Sequence, residues 1–325
     1  MGETIARETV EELASRLNEP AWLVSYRLAA RELYLQKPAP TERDEDWRRT
    51  DIGALDLTGM RIVSLQSPEV VASIPKDVPA RLGAGLKHFE KLAGLVLQST
   101  AGAGCQFLDQ DLAAKGVIFC DLFTAVRQYE DKIKPALTPG DDLPGQGKFA
   151  LLTRALFNCG MFLYVPKGVH VELPFFYGVE FECATGEPSA LFPYLVVVAE
   201  ENSSVNVVYA PGSTQAEITD SVRPLNLLAQ FVDVRIGAGA RVRFLEVHEY
   251  PANMFVVGKS NCRVSRDARY ETLALALGGH QIKSDLETRL VAPGASSEVL
   301  GIVLGAGREK YSFNTIQGHD APDTT

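Results

Sequence analysis

Phe231-Val232-Asp233-Val234-Arg235-Ile236, then Gly237-Ala238-Gly239, then Val242-Arg243-Phe244-Leu245: two apolar runs joined by a glycine turn set the pattern for the second half of this chain. Val232, Val234 and Ile236 alternate with Asp233 and Arg235, which predicts a strand with one buried and one wet face. The turn supplies a residue that tolerates positive φ. The unit recurs. Leu195-Val196-Val197-Val198 leads across Glu201-Asn202-Ser203 to Val205-Asn206-Val207-Val208-Tyr209, and Leu286–Val291 leads across Pro293-Gly294-Ala295 to Val299–Leu304. Pro166-Lys167-Gly168 and Arg266-Asp267-Ala268 are turns of the same kind. With Gly168, Asn202, Gly239, Asp267 and Gly294 as markers, the intervals are 34, 37, 28 and 27 residues, the range in which repeat architectures fall. Stacked strand units bury a continuous core and present long walls, a body suited to docking. The pattern fits a parallel solenoid and an antiparallel sandwich of hairpins equally well.

The bulk of the chain is that of a globular protein. It has 325 residues, 46% hydrophobic and 22% charged, with a formal net charge of −9. That balance argues against binding along a nucleic-acid backbone, which needs a basic footprint. No apolar run is long enough for a membrane span, and the acidic start Met1-Gly2-Glu3-Thr4 is no secretory signal. Five dispersed cysteines (Cys105, Cys120, Cys159, Cys183, Cys262) without a CxxC pair argue against a disulfide framework or a local zinc knuckle, and for a reducing cytosol.

Three segments are expected. Residues 1–50 read as a helical amino-terminal region, with Leu13, Leu17, Leu23, Tyr26, Leu28 and Leu33 at helical spacing. Pro20 suits the first turn of a second helix, and Pro38-Ala39-Pro40 stops it. In the charged stretch after it, Trp47 reads as local packing. Residues 51–147 read as mixed α/β, with strands at Ile62–Leu65, Leu95–Leu97 and Gly116–Phe119, a helix over Asp121–Ile133, and a Pro/Gly loop around Pro139 and Pro144. Residues 148–325 form the strand-rich core, entered through a helix over Lys148–Asn158.

Few constellations carry chemistry. Gly102-Ala103-Gly104 lacks the partners of a nucleotide fingerprint, and there is no Walker A loop. Cys105 beside it reads as buried. Glu246 and His248, two apart on a strand, share a face, as do His170 and Glu172. Such imidazole and carboxylate groups suit zinc or iron. His280 and His319, each after glycine, read as turn residues. Asp109, Asp111 and Asp141-Asp142 read as solvated loop charges. No Ser/His/Asp order, HExxH motif or tight carboxylate pair stands out, so no catalytic residue is assigned.

Four stretches resemble the SufB/SufD family of iron–sulfur cluster assembly proteins: Asn18-Glu19-Pro20-Ala21-Trp22-Leu23 with Tyr26-Arg27 and Asp44-Glu45-Asp46-Trp47-Arg48; Gly116-Val117-Ile118-Phe119-Cys120-Asp121-Leu122; Lys148-Phe149-Ala150 with Phe162-Leu163-Tyr164-Val165-Pro166-Lys167-Gly168-Val169; and His319-Asp320-Ala321-Pro322-Asp323-Thr324-Thr325. The resemblance implies a mainly β protein with a right-handed parallel β-helix core. It implies a scaffold subunit, not catalytic alone, beside a SufB-like subunit and a SufC-like ATPase, or paired with itself as a homodimer. An iron–sulfur cluster or iron would be met transiently and only in the complex, where flavin is a further option. Under this resemblance His248, His170 and Cys159 are the candidate metal contacts. The chain looks nearer to SufD than to SufB, because Tyr209-Ala210-Pro211-Gly212-Ser213-Thr214 lacks the cysteine typical of SufB there. Family members continue past the Ala-Pro-x-Thr-Thr motif, so the stop at Thr325 suggests a truncated product. The competing reading is a carbohydrate-active β-helix enzyme, a lyase or isomerase, but the acidic residues are dispersed and no basic catalyst accompanies them.

Overall fold

The computed structural model describes residues 5–325 apart from 56, 58, 64, 66, 75–90, 101–103, 139–145, 182–187 and 213–224. Ser64, Gly102-Ala103, the Pro139–Gly145 part of the loop with Asp141-Asp142, Cys183 and Ser213-Thr214 therefore lie outside the described residues.

The strands are β1 (Arg61–Ile62), β2 (Glu69–Val70), β3 (Gly94–Ser99), β4 (Cys105–Leu108), β5 (Ile118–Asp121), β6 (Cys159–Val165), β7 (Phe175–Glu180), β8 (Ser189–Leu191) and β9 (Pro193–Ala199). They continue with β10 (Ser204–Gly212), β11 (Asn226–Ile236), β12 (Arg241–Tyr250), β13 (Met254–Val264), β14 (Arg269–Gly278), β15 (Gln281–Leu290), β16 (Ser296–Leu304) and β17 (Lys310–His319). They sort into two sheets. Sheet I runs β17-β15-β13-β11-β9-β6-β5, with β8 on β11 and β1 on β8; sheet II runs β16-β14-β12-β10-β7-β3-β4-β2. From β9 onward the chain visits the two sheets in turn, so each strand pairs with the strand one unit away. Among the described residues every such pair is parallel, and only β3–β4 and β5–β6 are antiparallel. The choice left open by the strand pattern falls to the parallel arrangement.

The turn residues form a column. Gly168, Asn202, Gly239, Asp267 and Gly294 all have positive φ, between 54° and 75°, and Asp323 follows at 57°. Each of the first five donates its N–H to the next turn: Gly168 to Glu201 O, Asn202 to Ala238 O, Gly239 to Arg266 O, Asp267 to Pro293 O and Gly294 to Asp323 O, at 2.8–3.1 Å. Glycine and Asn or Asp alternate along the column for a steric reason. A Cβ on Gly239 would collide with Asn202 Oδ1, and one on Gly294 with Asp267 Oδ1.

Three apolar layers result. Between the sheets lie Leu163, Tyr177, Val197, Val207, Val234, Phe244 and Tyr270. The outer face of sheet I packs Tyr194, Phe231 and Phe255 against Leu23, Tyr34 and Leu151 of the helices Ala21–Gln36 and Lys148–Leu156. Outside sheet II, Leu95, Leu97, Phe176 and Val208 pack with Cys105 beneath Val71, Ile74 and Phe107.

The outer face of sheet I is consequently not the wet face that Asp233 and Arg235 suggest. Asp233 is 5% exposed. Arg235 pairs with it at 3.3 Å and donates to the carbonyls of Pro135 and Ala136 at 2.8 and 2.6 Å. These polar residues meet the end of the helix Glu130–Leu137 rather than water. A buried ion pair also fixes the amino-terminal helices. Arg27 binds Glu19 at 2.5 Å with both side chains fully buried, donates to Ala155 O and Phe157 O, and lies over the Phe157 ring. Trp47 stacks on Phe149 at 5.2 Å, packing its loop onto the Lys148–Leu156 helix. Asp109 corrects an expectation: it caps the helix Gln110–Ala114 by accepting from Asp111 N and Leu112 N, so Asp111 is helical. The helix expected over Asp121–Ile133 is two, Leu122–Gln128 and Glu130–Leu137, broken at Tyr129, and Asp121 caps the first.

Candidate functional site

The polar residues that sequence singled out on β12 point between the sheets. Burial alternates along this strand, and the phase that buries Val242 and Phe244 also buries Glu246, His248 and Tyr250. Bare, such groups would be costly. They are bonded instead. His248 Nε2 lies 3.0 Å from Glu246 Oε2, and Tyr250 Oη lies 3.1 Å from His248 Nδ1. A neutral imidazole that gives Nε2–H to the carboxylate has only a lone pair left at Nδ1, and in that tautomer Tyr250 donates to it. The facing sheet supplies the rest: Gln230 Nε2 on β11 donates to Glu246 Oε2 at 3.2 Å, and Ser260 Oγ on β13 donates to Oε1 at 3.2 Å.

The network continues through the core. Tyr209 Oη donates to Gln230 Oε1 at 3.1 Å, and its ring stacks on Tyr177 at 5.4 Å. Tyr177 Oη and Gly160 N both donate to Gln98 Oε1, at 2.7 and 2.9 Å. Cys159 hydrogen-bonds Tyr177 and is fully buried. Burial pushes its thiol, and the Tyr177 phenol, well above their ordinary values, so the sulfur is held as a thiol and not as the thiolate that binds metals.

The three candidate metal contacts thus occupy different settings. His248 and Cys159 belong to this interior network, and Glu246 does share the His248 face as its spacing suggested. His170 is on the surface, where Nδ1 lies 3.0 Å from Ser204 Oγ. Among the described residues no three His, Cys, Asp or Glu groups converge on a metal position. Both oxygens of Glu246 and both nitrogens of His248 are committed, so iron there would have to displace a protein partner. Gln98, Tyr177, Tyr209, Gln230 and Ser260 were not foreseen. The one available signal was Gln230, a lone amide inside the apolar run Leu227–Phe231. Of the other described histidines, His280 follows two positive-φ glycines, as a turn residue should, whereas His319 ends β17 and hydrogen-bonds Thr324. Cys105, Cys120, Cys159 and Cys262 are all free and buried.

Residues 181–325, which contain β8 to β17, match the family model described as SUF system FeS cluster assembly, SufBD core domain. Over that stretch the chain is similar to the SufB/SufD family. Likeness to SufBD relatives extends beyond the core domain to the amino-terminal helices. An iron–sulfur cluster assembly SufBD family protein of Staphylococcus haemolyticus is 24% identical over 327 residues, covering 99% of this chain and 67% of the relative. Its counterparts in Staphylococcus aureus strains USA300 and NCTC 8325 are 23% identical over the same shares.

Proposed function

We propose that this protein is a scaffold subunit of an iron–sulfur cluster assembly complex, working beside a SufB-like subunit and a SufC-like ATPase and not catalytic alone. The observation that carries the reading is the SufBD core match across the alternating parallel strands. Those two sheets suit a right-handed parallel β-helix, the hand that parallel crossovers take almost without exception. In this reading residues 1–50 are a helical entry, 51–147 a mixed lead-in and 148–325 the β-helix core. The missing cysteine at Tyr209–Thr214 favours the SufD branch.

The wall of the scaffold would hold cluster-ligating groups of two subunits in register. The cluster is cargo: iron would meet His170 at the surface, and His248 or Cys159 only where the complex opens their buried hydrogen bonds, each contact transient, with flavin a further component there. We place the protein in the cytoplasm, and no helix among the described residues is long and apolar enough to cross a membrane. Co-expression with a SufB-like and a SufC-like protein tests the proposal. Co-elution of all three is expected. A chain that elutes alone with both partners present overturns it.

A further inference from the structure

The outer face of sheet II carries a row of hydrogen-bond donors across five neighbouring stretches of chain. His170 bridges Ser204, Ser204 is in register with Arg241, Arg241 with Arg269, and Arg269 with Ser296. Neighbouring strands lie about 4.8 Å apart, so the row is about 19 Å long. Each of the five side chains can donate, none is a carboxylate, and none is buried.

The acidic groups stand one step along the strands, in the row Asn206–Arg243–Glu271–Glu298 and at Glu172 beside it. There the charges are matched. Glu271 accepts from Arg243 and from Arg269, the latter at 2.6 Å, and the hydrogen bond from Arg243 is the main reason its carboxyl is held below its ordinary value. Glu298 lies 3.5 Å from Arg269. Arg241 is different: among the described residues its side chain has no hydrogen-bond or ion-pair partner.

A concavity of about 530 Å³ opens beside His170, lined by Ser204, Arg241 and Arg269 of the row and by Asn206, Arg243, Glu172 and Glu271. The bond between Ser204 Oγ and His170 Nδ1 leaves Nε2 as the ring atom available to a ligand. A guanidinium fork beside a hydroxyl–imidazole pair, which in either tautomer keeps one O–H or N–H free for a ligand, offers the donors that a tetrahedral oxyanion takes. We propose that His170, Ser204 and Arg241 bind a phosphate group, either inorganic phosphate or the phosphate of a small monoester, with Arg269 adding charge from the next strand. The site is independent of cluster assembly.

The test follows the His170 ring resonances of the full chain by NMR while inorganic phosphate, and separately phosphoserine, replaces chloride at constant ionic strength. A saturable shift is expected, with R241A weakening it about tenfold, the loss of one charge-assisted contact. R308A, which removes an exposed arginine from outside the row, should leave the curve unchanged. Tighter binding of phosphoserine assigns the site to an ester, and equal or tighter binding of phosphate assigns it to the free ion. A shift that never saturates, or that R241A and R308A change alike, reflects general screening and overturns the proposal.

Discussion

Gly239 and Gly168 occupy equivalent places in the turn column but meet different surroundings. Both have positive φ, so an alanine at either pays the left-handed backbone cost, about 1 kcal/mol. At Gly168 nothing lies within 4 Å of the added carbon, whereas at Gly239 it meets the Asn202 side chain. Gly239→Ala is therefore expected to lose more than Gly168→Ala, whose loss is about 1 kcal/mol, the excess being what it costs to turn the Asn202 side chain away, read from urea unfolding midpoints. Equal losses would remove the steric role assigned to Asn202. At this scale much was legible, because a residue that tolerates positive φ announces itself by type. The alternation of glycine with Asn or Asp was also visible in the chain, but its reason was not. It depends on which turn stacks on which, and only the parallel pairing decides that.

Along β12 the lesson is about phase. Residue spacing put Glu246 and His248 on one face, and the strand buries that face. What spacing could not convey is that Gln230 and Ser260, from strands of the opposite sheet, complete the bonds of Glu246. A double-mutant cycle on Glu246→Ala and His248→Ala measures this dependence, with a coupling of about 1 kcal/mol or more expected. Additive effects would mean that the two side chains act separately. The opposite error occurred on β11, where Asp233 and Arg235 look like solvent-facing charges. Their water is replaced by a helix end more than ninety positions away in sequence, and no local pattern reports that.

Across the whole molecule, three buried thiols couple folding to pH. Burial raises the thiols of Cys120, Cys159 and Cys262, while an unfolded cysteine ionises near pH 8.5. The folded chain keeps protons that the unfolded chain gives up, so stability is full below about pH 8.5 and falls above it, by up to about 1.4 kcal/mol per pH unit for each thiol. Urea midpoints measured from neutral to alkaline pH should show this decline, and a flat profile would exclude it. The repeat itself was readable because its turns recur, whereas the covering of sheet I by helices rests on contacts between distant segments. The hydrogen-bonded column of turns has one more consequence. The chain spends 37 residues between Asn202 and Gly239 but only 27 between Asp267 and Gly294, yet one hydrogen bond of similar length closes each step. Extra residues must therefore be accommodated sideways and cannot stretch the axis. The body behaves as a ruler graduated in strand spacings, whose marks stay put while sequence is added or removed between them.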